Sequence, residues 1–125
     1  MQKLYEKYNG HLIEDAGAYK SRDFVNFAKY AKKQMKEEAE KKGIELVNFC
    51  TGHYDISGFF RNKTTEKYAY FSFSGCRYQP IDFDCSSCMR GFLLRTADGP
   101  KDYRGGQNHF TNLNGFMPLL EKLVA

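Results

Sequence analysis

The chain lacks any apolar run that approaches the roughly 20 residues of a transmembrane helix. Its opening residues, MQKLYEKYNGHL, lack the apolar centre and the small-residue cleavage site of a signal peptide. Tryptophan is absent, so the aromatic share of 16% is phenylalanine and tyrosine alone. An apolar share of 42% is nevertheless ordinary for a folded chain. We therefore expect a folded, cytoplasmic protein that does not bind a membrane.

A strong charge of either sign is also lacking. Lysine and arginine number 19 against 15 aspartates and glutamates, which gives a formal net charge of +4. A polyanionic mimic of DNA would be strongly acidic, so the composition excludes that class. The mild basic excess allows contact with nucleic acid without requiring it.

The 125 residues fit one domain, and the first clear hydrophobic pattern in them is helical. Residues 1–19 show little pattern and are interpreted as a lead-in segment. Ser21 is the predicted N-cap, and Gly43 is the predicted end of the helix. Between them, apolar residues recur every three or four positions, at Phe24, Phe27, Ala28, Ala31, Met35 and Ala39.

Alternation of side chains between two faces replaces the helical spacing after Ile44. The segments HYDISGFFR and YAYFSFSGCRY, separated by the polar NKTTEK, predict an antiparallel hairpin. GFLLRT predicts a third strand, and NLNGFMPLLEKLVA predicts a closing helix. The predicted fold is a single α+β domain over residues 1–125, with the order helix, three-stranded antiparallel sheet, helix (αβββα).

The CSSC segment, Cys85 to Cys88, is the one textual match to a chemical motif. A redox role would require the βαβ context of thioredoxin-like enzymes, which the surrounding pattern does not show. A zinc site would require two more ligands, and Cys50, Cys76, His53 and His109 form no second close pair. Ordinary reduced thiols are favoured, with a metal site and a redox role as alternatives, so we predict no metal and no cofactor.

Candidates for catalysis are three histidines, His11, His53 and His109, together with acids such as Asp55. Spacing alone does not show that any of them converge into an acid–base pair. Motifs for phosphate loops, dinucleotide binding and hydrolases are absent from the sequence. We therefore predict no catalytic residue, and an enzyme is the third of three functional hypotheses.

Lysines form a stripe on the predicted first helix, opposite its apolar face: Lys29, Lys32, Lys33, Lys36 and Lys41. Such a stripe either follows a phosphate backbone or an acidic partner, or is a solvated face that nearby glutamates balance. The element order also matches that of double-stranded RNA-binding domains. However, the last helix carries only Lys122 where those domains place their gripping lysines, so the match is in order alone.

The segment RTADGPKDYRGGQNHF is unusually polar and rich in turn residues. It belongs to a predicted loop over residues 96–112, and loops of this length are typically functional or disordered. Its arginines, tyrosine and acids favour recognition over disorder. The predicted partner-binding residues are Arg95, Lys101, Asp102, Tyr103, Arg104, Asn108 and His109, together with Lys29, Lys32, Lys33 and Lys36.

Three segments, GHYDISGFFRN, KYAYFSFSGCRY and LLRTADGPKDYRGGQNHFTNL, together resemble a group of small accessory proteins. These proteins are carried on plasmids, conjugative elements and phages of Gram-positive gut bacteria. The resemblance covers roughly residues 44–113, and the segment IDFDCSSCM departs from its pattern. It implies a mobile-element protein whose functions include host-defence antagonism of the anti-CRISPR type, and it supplies no catalytic residues.

We therefore expect a non-enzymatic protein that binds and inhibits a bacterial immune nuclease in the cytoplasm of its host. The expected partner is a host protein or a ribonucleoprotein nuclease. The alternative is a nucleic-acid-binding accessory protein of a plasmid or phage. Salt dependence separates the two, because phosphate contacts weaken steeply with salt.

Overall fold

A computed structural model describes residues 22–51, 56–74, 91–111 and 114–125. The described part contains two helices and one antiparallel sheet of five strands. In chain order these elements are α1 (Arg22–Glu40), β1 (Ile44–Cys50), β2 (Ile56–Asn62), β3 (Tyr68–Ser74), β4 (Gly91–Ala97), β5 (His109–Thr111) and α2 (Phe116–Leu123). The predicted α+β class is confirmed, but the predicted three-stranded arrangement is wrong.

Several of the predictions lie outside the described residues. They concern the lead-in segment 1–19, the N-cap Ser21, the cysteines Cys76, Cys85 and Cys88, the histidines His11 and His53, and Asp55.

Helix α1 begins and ends close to its predicted bounds, and its apolar stripe is buried from Phe27 to Ala39. Phe27, Ala31 and Met35 are fully buried against the sheet. After Glu40 the chain makes a turn in which Gly43 has a φ of 72°. This left-handed conformation is one that glycine adopts without steric cost, which is why the helix ends there.

The sheet is a meander, because each strand pairs with the next one along the chain, in the order β1-β2-β3-β4-β5. The predicted hairpin is confirmed by the register Phe60↔Ala69 and Gly58↔Phe71 between β2 and β3. Alternate side chains therefore point to opposite faces of the sheet. One face packs against both helices, in a core that includes Phe60, Phe71 and Phe116. We call the other side of the sheet its loop face, because the loop that follows β4 packs there.

The two strands that the sequence analysis missed are the edges of the described sheet. β1 contains an irregularity between Val47 and Cys50, where the register with β2 shifts and Asn48 has a φ of 52°. β5 has only three residues, and Phe110 in it pairs with Leu93 of β4. Since β4 extends to Ala97 and β5 begins at His109, the predicted loop 96–112 is shorter than expected and spans residues 98–108.

The end of α2 is fixed to the turn between β2 and β3. Asn62 Nδ2 donates to the main-chain oxygen of Val124 at 2.9 Å, and Thr65 Oγ1 donates to the same oxygen at 2.7 Å. Asn62 Oδ1 accepts from the backbone N–H groups of Thr64 and Thr65 at 2.8 and 3.1 Å. One asparagine therefore shapes the turn and satisfies a carbonyl group at the end of the helix.

The described helices include none that is both long enough and apolar enough to cross a membrane.

Candidate functional site

The loop 98–108 packs onto the loop face of the sheet, which is the side away from the helices. Phe59 of β2 and Tyr70 of β3 are neighbours on this face and are buried. The ring of Tyr103 meets both edge-on, with centroids 5.2 Å from Phe59 and 5.9 Å from Tyr70. Edge-to-face pairs of this kind favour one ring orientation. Tyr103 is therefore held in place by two buried rings, although it remains 49% exposed.

The carboxylate of Asp102 organises the loop backbone. Its Oδ2 accepts from the N–H of Asp98 at 2.9 Å, and its Oδ1 accepts from the N–H groups of Arg104 and Gly105 at 3.1 and 3.0 Å. These hydrogen bonds favour the charged carboxylate, so they lower the pKa of Asp102 below its usual value, with a smaller contribution from the charge of Arg95. The loop is thus closed by its own aspartate.

Two glycines let the loop pass through crowded positions. A Cβ atom on Gly105 would collide with Oδ2 of Asp102. Gly106 has a φ of 77°, and a Cβ atom there would collide with the main-chain oxygen of Thr96 in β4. By contrast, a Cβ atom on Gly99 would meet nothing within 4 Å. The sequence GG at 105–106 is therefore required by local packing, and not only by turn formation.

Arg95 is part of the support beneath the loop. It is only 6% exposed, and its guanidinium carbon lies 4.2 Å from the centre of the Tyr70 ring. Its Nη1 donates to the main-chain oxygen of Asp102 at 3.2 Å. The cation–π contact and the hydrogen bond both fix this arginine inside the molecule. Arg95 and Asp102 were predicted to bind a partner, but the geometry gives their side chains a structural task.

A further contact ties the loop to the far edge of the sheet. Asn48 Nδ2, from the irregular part of β1, donates to the main-chain oxygen of Pro100 at 2.7 Å. The loop therefore spans the loop face of the sheet from β4 to β1. Sequence reasoning missed this residue, and the available signal was an asparagine, a residue that tolerates positive φ, inside a run of β-formers.

The other predicted loop residues divide by exposure. Lys101, Arg104 and Asn108 are exposed, whereas His109 is half-buried in β5, where it pairs with Leu94. We call the group formed by Lys101, Tyr103, Arg104 and Asn108 the Tyr103 surface. It presents one fixed aromatic ring among flexible polar side chains.

The predicted lysines lie on the other side of the sheet. Lys29, Lys32, Lys33 and Lys36 are all exposed on α1, which packs on the helix-covered face. Lys32 Nζ lies 5.8 Å from the centre of the Phe49 ring of β1. The predicted partner-binding residues thus form two surfaces, one on each side of the sheet.

Within the described ranges, no group of three or more histidine, cysteine, aspartate or glutamate residues is placed to hold a metal ion. Cys50 is a half-buried cysteine.

Comparisons of the chain with protein-family models, with curated proteins and with solved structures found no match.

Proposed function

We propose that this chain is a non-enzymatic binding protein of a mobile genetic element, that it inhibits a bacterial immune nuclease complex, and that the Tyr103 surface makes the contact. The observation that carries the proposal is the state of Tyr103, which is half exposed yet held edge-on by Phe59 and Tyr70. An exposed aromatic ring that is fixed before binding is the kind of residue that dominates protein interfaces.

The loop around Tyr103 supports this use because it is ordered in advance. Binding normally costs free energy when a flexible loop and its side chains become fixed. Here the three hydrogen bonds to the Asp102 carboxylate and the one from Arg95 already fix the backbone. Most of the ordering cost is therefore met on folding, and more of the contact energy is available for affinity.

Arg104 and Lys101 flank the ring and add charge to the same surface. Both are exposed, and Arg104 can form two parallel hydrogen bonds to a carboxylate or a phosphate. Tyrosine next to arginine is a combination enriched at binding hot spots. A protein or a ribonucleoprotein offers the matching groups. The choice of an immune nuclease rests on the resemblance to mobile-element proteins.

The proposal is tested by phage plating on strains that each carry one immune nuclease and express this chain. We expect the chain to restore plating on at least one strain, and Tyr103→Ala or Arg104→Ala to abolish the restoration. Lys63→Ala is the control, because Lys63 is an exposed cation in the β2–β3 turn. Full activity of both loop variants would overturn the assignment of the surface, and failure of the unmodified chain on every nuclease class would overturn the function.

A further inference from the structure

Adjacent residues of β1 contact α1 on one side of the sheet and the loop 98–108 on the other. Phe49 places its ring beside Lys32 of α1, and Asn48 donates to Pro100, the residue before Lys101. The Cα atoms of two consecutive residues are about 3.8 Å apart. One short stretch of β1 therefore joins the lysines of α1 to the lysine of the loop. We call the set Lys29, Lys32, Lys33, Lys36 and Lys101 the basic edge.

The lysines of α1 lie close enough together to destabilise their own helix by charge repulsion. Residues three and four positions apart are neighbours on a helix surface, so Lys29 and Lys36 each lie next to both Lys32 and Lys33. Like charges at these spacings repel. Glu37 and Glu40 follow Lys33 and Lys36 by four positions, but Lys29 and Lys32 have no acidic residue at either spacing within α1. A bound anion would relieve this repulsion.

The chemistry of the basic edge fits a polyanion better than a protein. Lysine is depleted at protein interfaces, whose buried centre is apolar and aromatic. Among the described residues the only large exposed apolar side chains are Val25 at the start of α1 and Tyr103 in the loop, so the basic edge has no apolar centre. Lys29 and Lys36 are seven residues apart, about 10.5 Å along the helix axis, a length over which a duplex presents several phosphates.

We infer that the basic edge binds the phosphate backbone of a nucleic-acid duplex without reading its sequence. Lysines position a protein on phosphates, whereas base recognition relies on side chains that reach groove edges with paired hydrogen bonds. Lys32 is already placed by its contact with Phe49, and Lys101 extends the contact around β1 to the loop side. The inference depends on the lysines and not on the proposed nuclease inhibition.

The test is fluorescence anisotropy with labelled duplexes of about 20 base pairs and random sequence, titrated with the full chain between about 50 and 200 mM KCl. We expect the logarithm of the binding constant to fall linearly with the logarithm of the salt concentration. The triple variant Lys29→Ala, Lys32→Ala, Lys36→Ala should reduce the slope by about 2 to 3, because each phosphate contact contributes about 0.9. Lys101→Ala should reduce it by about 1. DNA and RNA duplexes are compared in parallel.

The matched control is Lys63→Ala, Lys67→Ala, Lys122→Ala, which removes the same charge from exposed positions outside both the basic edge and the lysine stripe of α1. It should keep the slope of the unmodified chain, and the arginine version of the first triple variant should bind normally. If the two alanine triple variants lost the same amount of salt slope, net charge alone would explain the binding and the inference would be overturned. A lack of duplex binding by the unmodified chain would overturn it as well. Tyr103→Ala should leave duplex binding unchanged, which separates this result from the proposed function.

Discussion

At the scale of single residues, Asp102 fixes the backbone of the loop, because three backbone N–H groups donate to its carboxylate. Its neighbour Asp98 takes part in this turn through its backbone N–H. These two aspartates, four positions apart in the same segment, thus have different tasks, and only the hydrogen-bond pattern distinguishes them.

Asp102→Asn should lower stability in a pH-dependent way. The pKa of Asp102 is lowered by folding, so the folded state binds fewer protons than the unfolded state just below the usual aspartate pKa of about 3.9. The stabilisation is therefore fully present above about pH 4 and is lost as the pH falls through the lower folded pKa. Urea unfolding at neutral pH and at about pH 2–3 should show a difference from the unmodified chain that shrinks in acid.

Asp98→Asn is the control for this measurement, because it keeps the backbone N–H that Asp102 accepts. A stability difference for Asp102→Asn that stays constant from neutral to acid pH would show that the charge of the carboxylate does not stabilise the loop.

Sequence reasoning at this scale assigned Arg95 and Asp102 to partner binding, and the structure adds the contacts that these side chains make within the molecule. Arg95 and Asp102 are charged residues in a polar segment, which is typical of a contact surface. The packing of Arg95 on Tyr70 depends on β3 and β4 lying side by side with Arg95 opposite Tyr70. That register becomes apparent only once the sheet is formed, so the structural task could not be predicted from the local sequence.

At the scale of elements, the loop 98–108 should respond to glycine substitutions according to position. Gly106→Ala should cost about 1–3 kcal/mol, because it forces alanine into positive φ and pushes a methyl group against the Thr96 oxygen. Gly99→Ala should be nearly neutral, since the added methyl group meets nothing within 4 Å. Melting curves of the two variants provide the measurement, and equal melting temperatures would contradict the described path of the loop.

The elements themselves were predictable where one pattern continued for several turns or residues. The stripe from Phe27 to Ala39 and the alternation in β2 and β3 are long enough to define a helix and a hairpin. β1 was missed as a separate strand because the positive φ at Asn48 interrupts its alternation. β5 was missed because three residues carry no period, and its pairing with β4 decides its conformation.

At the scale of the whole molecule, contacts between distant parts of the sequence hold α2 to the sheet. Asn62→Ala should cost about 1–3 kcal/mol, because it removes the bond to the Val124 oxygen and both bonds that shape the turn. Thr64→Ala should change little, since Thr64 contributes its backbone N–H to this turn. Chemical unfolding of both variants checks the difference, and a neutral Asn62→Ala would mean that α2 is held by its apolar side chains alone.

The meander order makes these long-range contacts important. Each strand pairs with its sequence neighbour, so the sheet is assembled from local hairpins. Asn62 and Val124, by contrast, are separated by almost half the chain. Such contacts hold the helices on the core. Hydrophobic periodicity could not predict them, because it shows which face of an element is buried but not which residue that face contacts.

The interlocked loop has a consequence for the recognition of related chains. Arg95 is followed by Asp102 seven positions later, and by glycines three and four positions after that. Arg95 and Gly105 both contact Asp102, and Gly106 passes close to Thr96, so we expect this spacing in any chain that builds the same loop. Lys101 and Arg104 lie within this spacing and are exposed, so exchanging their side chains would leave the contacts that hold the loop intact. The loop thus combines a fixed frame with exposed side chains that can be exchanged without rebuilding it.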